Sequence, residues 1–199
     1  NQAVSLSNMG AIHENLGDEA KALEYFRRSL KLREEMGDSL GQAQNLNNIA
    51  GIHIGQKDFD QAKTCLGRAE GIVRERGGKN ILRKILLSLG ELELAQSGGE
   101  AAPAKALEHA GQALDLAGQL KSTAGRAEAL LLHARIERSE EKFREAAAIF
   151  QGMNSPLETA KAEFYRGRIM ADKEAIGRAR DIFESLGARG WLARMKADR

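Results

Sequence analysis

One cysteine, Cys65, stands in 199 residues, so no internal disulfide can form. Proline occurs twice and aromatic residues make up 5% of the chain. Alanine, leucine, glutamate, lysine and arginine dominate instead, the residues that lose least on entering a helix, and an all-α protein is expected. No apolar run approaches the roughly 18 residues that a membrane helix needs. Neither sign of charge is in excess: 30 basic residues against 28 acidic leave +2, which advertises neither a nucleic-acid nor a membrane surface. A chain of this kind is expected to be soluble, intracellular and cytoplasmic. It begins with Asn rather than Met and shows no charged-then-apolar leader, so it is expected to be part of a longer protein. With 42% hydrophobic residues it has enough to bury a core.

What the chain does have is repetition. The stretch SLSNMGAIHENLGDEAKALEYF, from Ser5 to Phe26, returns as NLNNIAGIHIGQKDFDQAKTCL from Asn45 to Leu66, an offset of 40 residues. Leu6 returns as Leu46, Met9 as Ile49, Gly10 as Ala50, His13 as His53, Ala22 as Ala62 and Phe26 as Leu66. Within the first unit, Leu6, Met9, Gly10 and His13 recur at three- and four-residue steps, which predicts one helix face from about Gln2 to Leu16. Asp18 is a plausible N-cap for a second helix, in which Ala22, Phe26 and Leu30 share a face, and Gly37 ends it. Two antiparallel helices cannot hide their apolar faces alone, so each hairpin must stack on the next.

The same pattern continues with decreasing regularity. Repeats are expected at about 2–37, 40–77, 79–121, 122–153 and 156–186, followed by an amphipathic cap over 188–198, all in one domain covering 1–199. The cap would turn Trp191, Leu192 and Met195 inward. In the third unit the run AQSGGEAAP lengthens the turn, so Ala106, Ala110 and Ala113 arrive late. In the fifth, Glu163 and Arg166 occupy places expected to be apolar.

The order large-apolar, apolar, small, aromatic-like, then Ala and Phe or Leu resembles the tetratricopeptide repeat. Its forty-residue variety is found in kinesin light chains, cell-polarity adaptors and many bacterial signalling proteins. The resemblance implies a right-handed α-solenoid of about five helix hairpins with a C-terminal capping helix. It implies close helix contacts at Gly10, Ala22, Ala50, Ala62, Gly90 and Ala134, where a larger side chain would overpack the contact. It also implies a concave face lined by the first helices of the repeats. On that face Asn8, Asn15, Gln44, Asn47, Asn48, Lys84, Ser88 and Arg135 are the candidate peptide-binding residues. An amide donates and accepts at once, so a row of them suits an extended peptide backbone.

Competing chemistries find less support. Some family members clamp a C-terminal carboxylate with Lys and Asn. Asn48 and Lys84 match that clamp, whereas Ser7, Ala11 and Ser88 depart from it. His13 and His53 each take an equivalent packing position in their own repeats, and Cys65 has no suitably spaced partners, so no metal is expected. GGKN, at Gly77–Asn80, lacks the spacing of a phosphate loop. Nothing arranges Ser, His and Asp as nucleophile, base and orienter. The basic run from Arg74 to Lys84 has no interleaved aromatics for nucleic acid. The expected function is a non-catalytic module that holds a peptide or partner domain, with no cofactor, nucleic acid or membrane. The alternative is a regulatory or sensor segment of a larger bacterial signalling protein or transcription regulator. The exposed end repeats also offer a route to homo-oligomers.

Overall fold

Hairpins form where a carboxylate or hydroxyl meets the start of a helix. Asp18, Asp38, Asp58 and Asp172 each accept a hydrogen bond from the backbone N–H three residues on, and Ser122 and Ser139 do the same through their hydroxyls. A computed structural model describes residues 2–98 and 103–197 of the chain, and these contain helices and turns with no strand among them. The helices are α1 (Gln2–Asn15), α2 (Glu19–Glu35), α3 (Ser39–Gly55), α4 (Phe59–Arg76), α5 (Lys79–Gln96), α6 (Ala104–Gln119), α7 (Thr123–Glu137), α8 (Glu140–Gly152), α9 (Pro156–Met170), α10 (Lys173–Ser185) and α11 (Arg189–Ala197). Part of the lengthened turn before Pro103, and the end of the cap at position 198, lie outside the described residues.

Helices pair as α1·α2, α3·α4, α5·α6, α7·α8 and α9·α10, and each hairpin packs on the next through α2·α3, α4·α5, α6·α7 and α8·α9. First helices also touch first helices, as in α3·α5, α5·α7 and α7·α9, with no comparable contact between successive second helices. Shorter spacing along one row than along the other bends the stack, which puts the first helices on the inside of an α-solenoid.

The core is a chain of small clusters. Leu46, Leu66, Ala62 and Ile85 join the second and third hairpins, and Phe143, Phe150 and Leu130 fill the fourth. Phe164 and Phe183 pack with Ala188 and Met195 under the last helix. Five of the six phenylalanines, Phe26, Phe143, Phe150, Phe164 and Phe183, are fully buried.

Met9 departs from the periodic reading that placed it with Leu6 in the core: it is 41% exposed, and Ile12 is 58% exposed. Their counterparts forty residues on, Ile49 and Ile52, are buried against Ala22 and Phe26 of the preceding hairpin. No described helix precedes α1, so the same pattern that makes core in α3 makes surface in α1.

Candidate peptide-binding trough

The inner row is built from α1, α3, α5, α7 and α9, and close backbone approach sets how its helices lie. A Cβ on Gly10 would lie 2.7 Å from the Phe26 ring, and one on Gly90 would lie 2.7 Å from Leu132. Ala22, Ala50, Ala62 and Ala134 have no exposed surface at all. Gly10 therefore receives the Phe26 ring of its own hairpin, a closer neighbour than the alanine partner that periodicity suggests.

The candidate binding residues divide into accessible and committed groups. Asn8, Asn15 and Lys84 are exposed, and Gln44, Asn47, Asn48 and Ser88 are half-buried. Asn8 and Asn48 occupy equivalent places in successive repeats. Asn47 keeps its Oδ1 buried with no hydrogen-bond partner. Arg135 is engaged within the protein: its guanidinium pairs with Glu91 of α5 and lies 3.9 Å from the centre of the Tyr165 ring of α9. Burial works against its charge, yet Glu91 and Tyr165 together raise its pKa above the ordinary arginine value. Arg135 thus ties three inner helices together.

Two polar tie points escaped the periodic reading. Ser7 is buried, donates from its hydroxyl to Asn45 Oδ1 at 2.5 Å, and lies 3.0 Å from the Ser29 hydroxyl. Ser29 in turn donates to the Ala3 carbonyl at 2.6 Å. Asn45 is fully buried on α3, so this seam of α1, α2 and α3 is polar rather than apolar. Arg83, from the basic run, is 3% exposed and donates to Glu128 at 2.5 Å and Asn80 at 3.3 Å. Gly125 makes room for it, since a Cβ there would lie 2.8 Å from Arg83 Nε. Gly41 does the same for Arg33. Neither pairing shows in a linear pattern, because each glycine also makes room for an arginine from another helix, beside the N-cap side chain, Asp38 or Ser122, of its own.

Two histidines sit beside the starts of the helices that follow theirs. His13 Nδ1 is 3.7 Å from Asp18 and His53 Nδ1 is 3.7 Å from Asp58, the same geometry in two repeats. Burial lowers the pKa of His133, with Glu137 pulling the other way. Among the described residues no group of three or more His, Cys, Asp or Glu side chains is placed to hold a metal ion, and no helix is long and apolar enough to cross a membrane.

On the outer side a cleft of about 820 Å³ opens between α6 and α8, floored by Leu114, Ala117, Leu130 and Ile149. Its origin is legible in α6, whose buried residues are all alanine, Ala106, Ala110, Ala113 and Ala117, where α2, α8 and α10 carry phenylalanine. Side chains that small leave the neighbouring second helices apart.

Residues 1–75 match the family described as tetratricopeptide repeat. Over 83 residues the chain is 35% identical to the 43 kDa receptor-associated protein of the synapse from Tetronarce californica, a match covering 42% of this chain and 20% of that protein. A solved Rap protein, complexed with competence and sporulation factor, has the same fold at a TM-score of 0.74 and 19% identity, over 98% of this chain and 55% of that one. A putative kinesin light chain from Podosopora anserina, with nearly identical TPR-like repeats, aligns at a TM-score of 0.48 and 14% identity over 89% of this chain and 93% of its own. The chain thus spans a fifth of the curated relative and about half of the Rap protein. Its first 75 residues match the tetratricopeptide-repeat family, and along nearly its whole length it shares the fold of the Rap protein.

Proposed function

We propose that the inner trough holds an extended peptide, or a peptide-like segment of a partner domain, and that the chain performs no chemistry of its own. One observation carries this reading: amide side chains stay accessible at equivalent places on consecutive first helices, Asn8 on α1 and Asn48 on α3, beside Gln44. Each offers a donor and an acceptor at the spacing of the repeat. That suits a backbone whose own N–H and C=O groups recur along its length. Lys84 and Ser88 extend the polar row onto α5, with one cation to favour an acidic residue in the partner. The Rap protein, whose structure includes a bound factor, supports the use of this solenoid as a holder of other molecules.

Selection from a displayed peptide library tests the proposal, comparing the native chain with an Asn8→Ala, Asn47→Ala, Asn48→Ala variant. Peptides enriched on the native chain should be lost from the variant, whose helix content should be unchanged. Equal recovery on both would remove the amide row from the function.

A second reading, a regulatory segment of a larger bacterial signalling protein or transcription regulator, is favoured by one observation. The chain aligns almost completely with a part, 55%, of the Rap protein. In that reading trough occupancy alters how the solenoid packs on an effector domain.

A further inference from the structure

The last described helix, α11, meets the first hairpin. Gly190, in the first turn of α11, lies against the turn between α1 and α2, and the two helices α1 and α11 are packed neighbours although their residues are far apart in sequence. A Cβ placed on Gly190 would lie 3.0 Å from Gly17 Cα and 3.0 Å from the Glu14 carbonyl oxygen, and one placed on Gly17 would lie 2.9 Å from Gly190 Cα. Any side chain at either place would hold the ends apart. Gly17 has a positive φ of 79° that favours glycine by itself, but Gly190 is an ordinary helical residue, and only the crossing explains its lack of a side chain. Arg194, one turn further along α11, reaches α3: a Cβ on Gly55 would lie 3.5 Å from its Nη2.

Charge supports the same junction. Glu14 retains solvent-exposed surface, yet protein surrounds it from several sides. That crowding raises the pKa of its carboxyl, while Lys161 of α9 and Arg194 of α11 pull it down. A group on the first helix feeling cations of α9 and α11 is what a closed ring produces.

The two sides of α11 are attached very differently. Toward α9 and α10 it buries Met195 and packs Trp191 and Leu192 with Phe164 and Phe183, the Trp191 ring stacking on Phe183 at 5.5 Å. Toward α1 and α2 the closest approach is backbone on backbone at two glycines. Apolar burial fixes the first side, and nothing comparable fixes the second. The outer cleft between α6 and α8 gives the bend room to relax, since spreading the inner row brings the outer helices together.

We propose that the Gly17–Gly190 crossing is a clasp: closed, it makes the solenoid a ring around the trough, and it opens by separation of α11 from the α1–α2 turn while α11 stays on the last hairpin. Its use, admitting a partner from the side, rests on the trough reading above. The clasp itself is a property of the chain and is tested without a partner.

The test is a distance measurement between spin labels at Ala20→Cys and Ala193→Cys, both exposed positions, in a Cys65→Ala background. The unmodified ring should give a short, narrow distribution. Gly190→Leu should lengthen and broaden it, and so should Glu14→Lys, which places a third cation beside Lys161 and Arg194. Gly177→Leu, at a helical glycine with nothing within 4 Å, should leave it unchanged. The fluorescence of Trp191, the single tryptophan, should be the same in all forms, showing that α11 stays docked. An unchanged distribution in both Gly190→Leu and Glu14→Lys would overturn the clasp. A shifted Trp191 emission in those variants would also overturn it, since α11 would then be leaving the last hairpin. Failure of the peptide selection with these distances as expected would count against the trough alone.

Discussion

Ala62 shows how much one methyl group decides in this fold. It has no exposed surface and sits where α4 meets the inner helices, so Ala62→Leu must push backbone or neighbours aside, at roughly 1 to 3 kcal/mol. Glu70, four residues before Arg74 on the outer face of the same helix, forms a partly exposed pair worth less than about 1 kcal/mol. Urea unfolding should therefore separate Ala62→Leu clearly from native and leave Glu70→Ala close to it; equal midpoints for the two variants would break the assigned register. His133 makes a second prediction. Burial holds its folded pKa below the ordinary value, so between the two values the unfolded chain binds the extra proton. Stability then rises with pH through that window and is lost as pH falls below about 6.5. Unfolding at pH 7.5 and 5.5 should show a larger acid loss in the native chain than in His133→Gln, and equal losses would refute the assignment. Residues such as Leu46, Ala62 and Phe26 are legible in sequence because repetition marks them. Asn45, Arg33 and Arg83 are not, since a polar group is read as buried only once its partner on another helix is known.

At the ends of the helices, backbone conformation rather than packing carries the information. Gly17, Gly37 and Gly187 close their helices with φ between 63° and 79°, the left-handed conformation that glycine takes without penalty. Lys57 takes the place of Gly17 in the second hairpin with φ 61°, and Ala171 closes α9 with φ 58°. Ala171→Gly should stabilise the chain by about 1 kcal/mol, measured as a raised urea midpoint, because an L side chain in that region costs about that much. A lowered midpoint would show that the methyl group is packed rather than strained. The fifth hairpin, where charged residues interrupt the apolar pattern, is also explained here. Arg166 of α9 pairs with Glu163 at 3.1 Å, Asp172 at 3.0 Å and Glu140 at 3.5 Å, and Arg178 of α10 joins Glu163 at 3.0 Å. These charges replace apolar contact between α8, α9 and α10 with an ion network that is shielded at Arg166 and Glu163 and open to solvent at Glu140 and Arg178. Arg166→Ala would leave Glu163 with one cation, Arg178, and should cost roughly 1 to 2 kcal/mol in the same unfolding measurement. Periodicity scores such a hairpin as weak, because it counts apolar residues and not complementary charges.

Across the whole molecule, a repeat too small to hide its own surface has become a curved wall. From α3 to α9 its first helices stand in contact on the inside, and its second helices are spread on the outside. The stacked hairpins are legible from like residues forty positions apart, and the inner place of the first helices is what the family resemblance implies. The meeting of the last helix with the first turn is not, because curvature accumulates over five hairpins and no local pattern records its sum. The function proposed above puts partner binding on the inside of the wall. Site-specific photocrosslinking in the native cell tests this most directly, with a photoreactive phenylalanine placed either at Asn48 on the inner row or at Gly67 on α4, where nothing lies within 4 Å. A partner adduct through position 48 and none through position 67 is the expected result. Adducts through position 67 alone would place binding on the outer face and contradict the assignment.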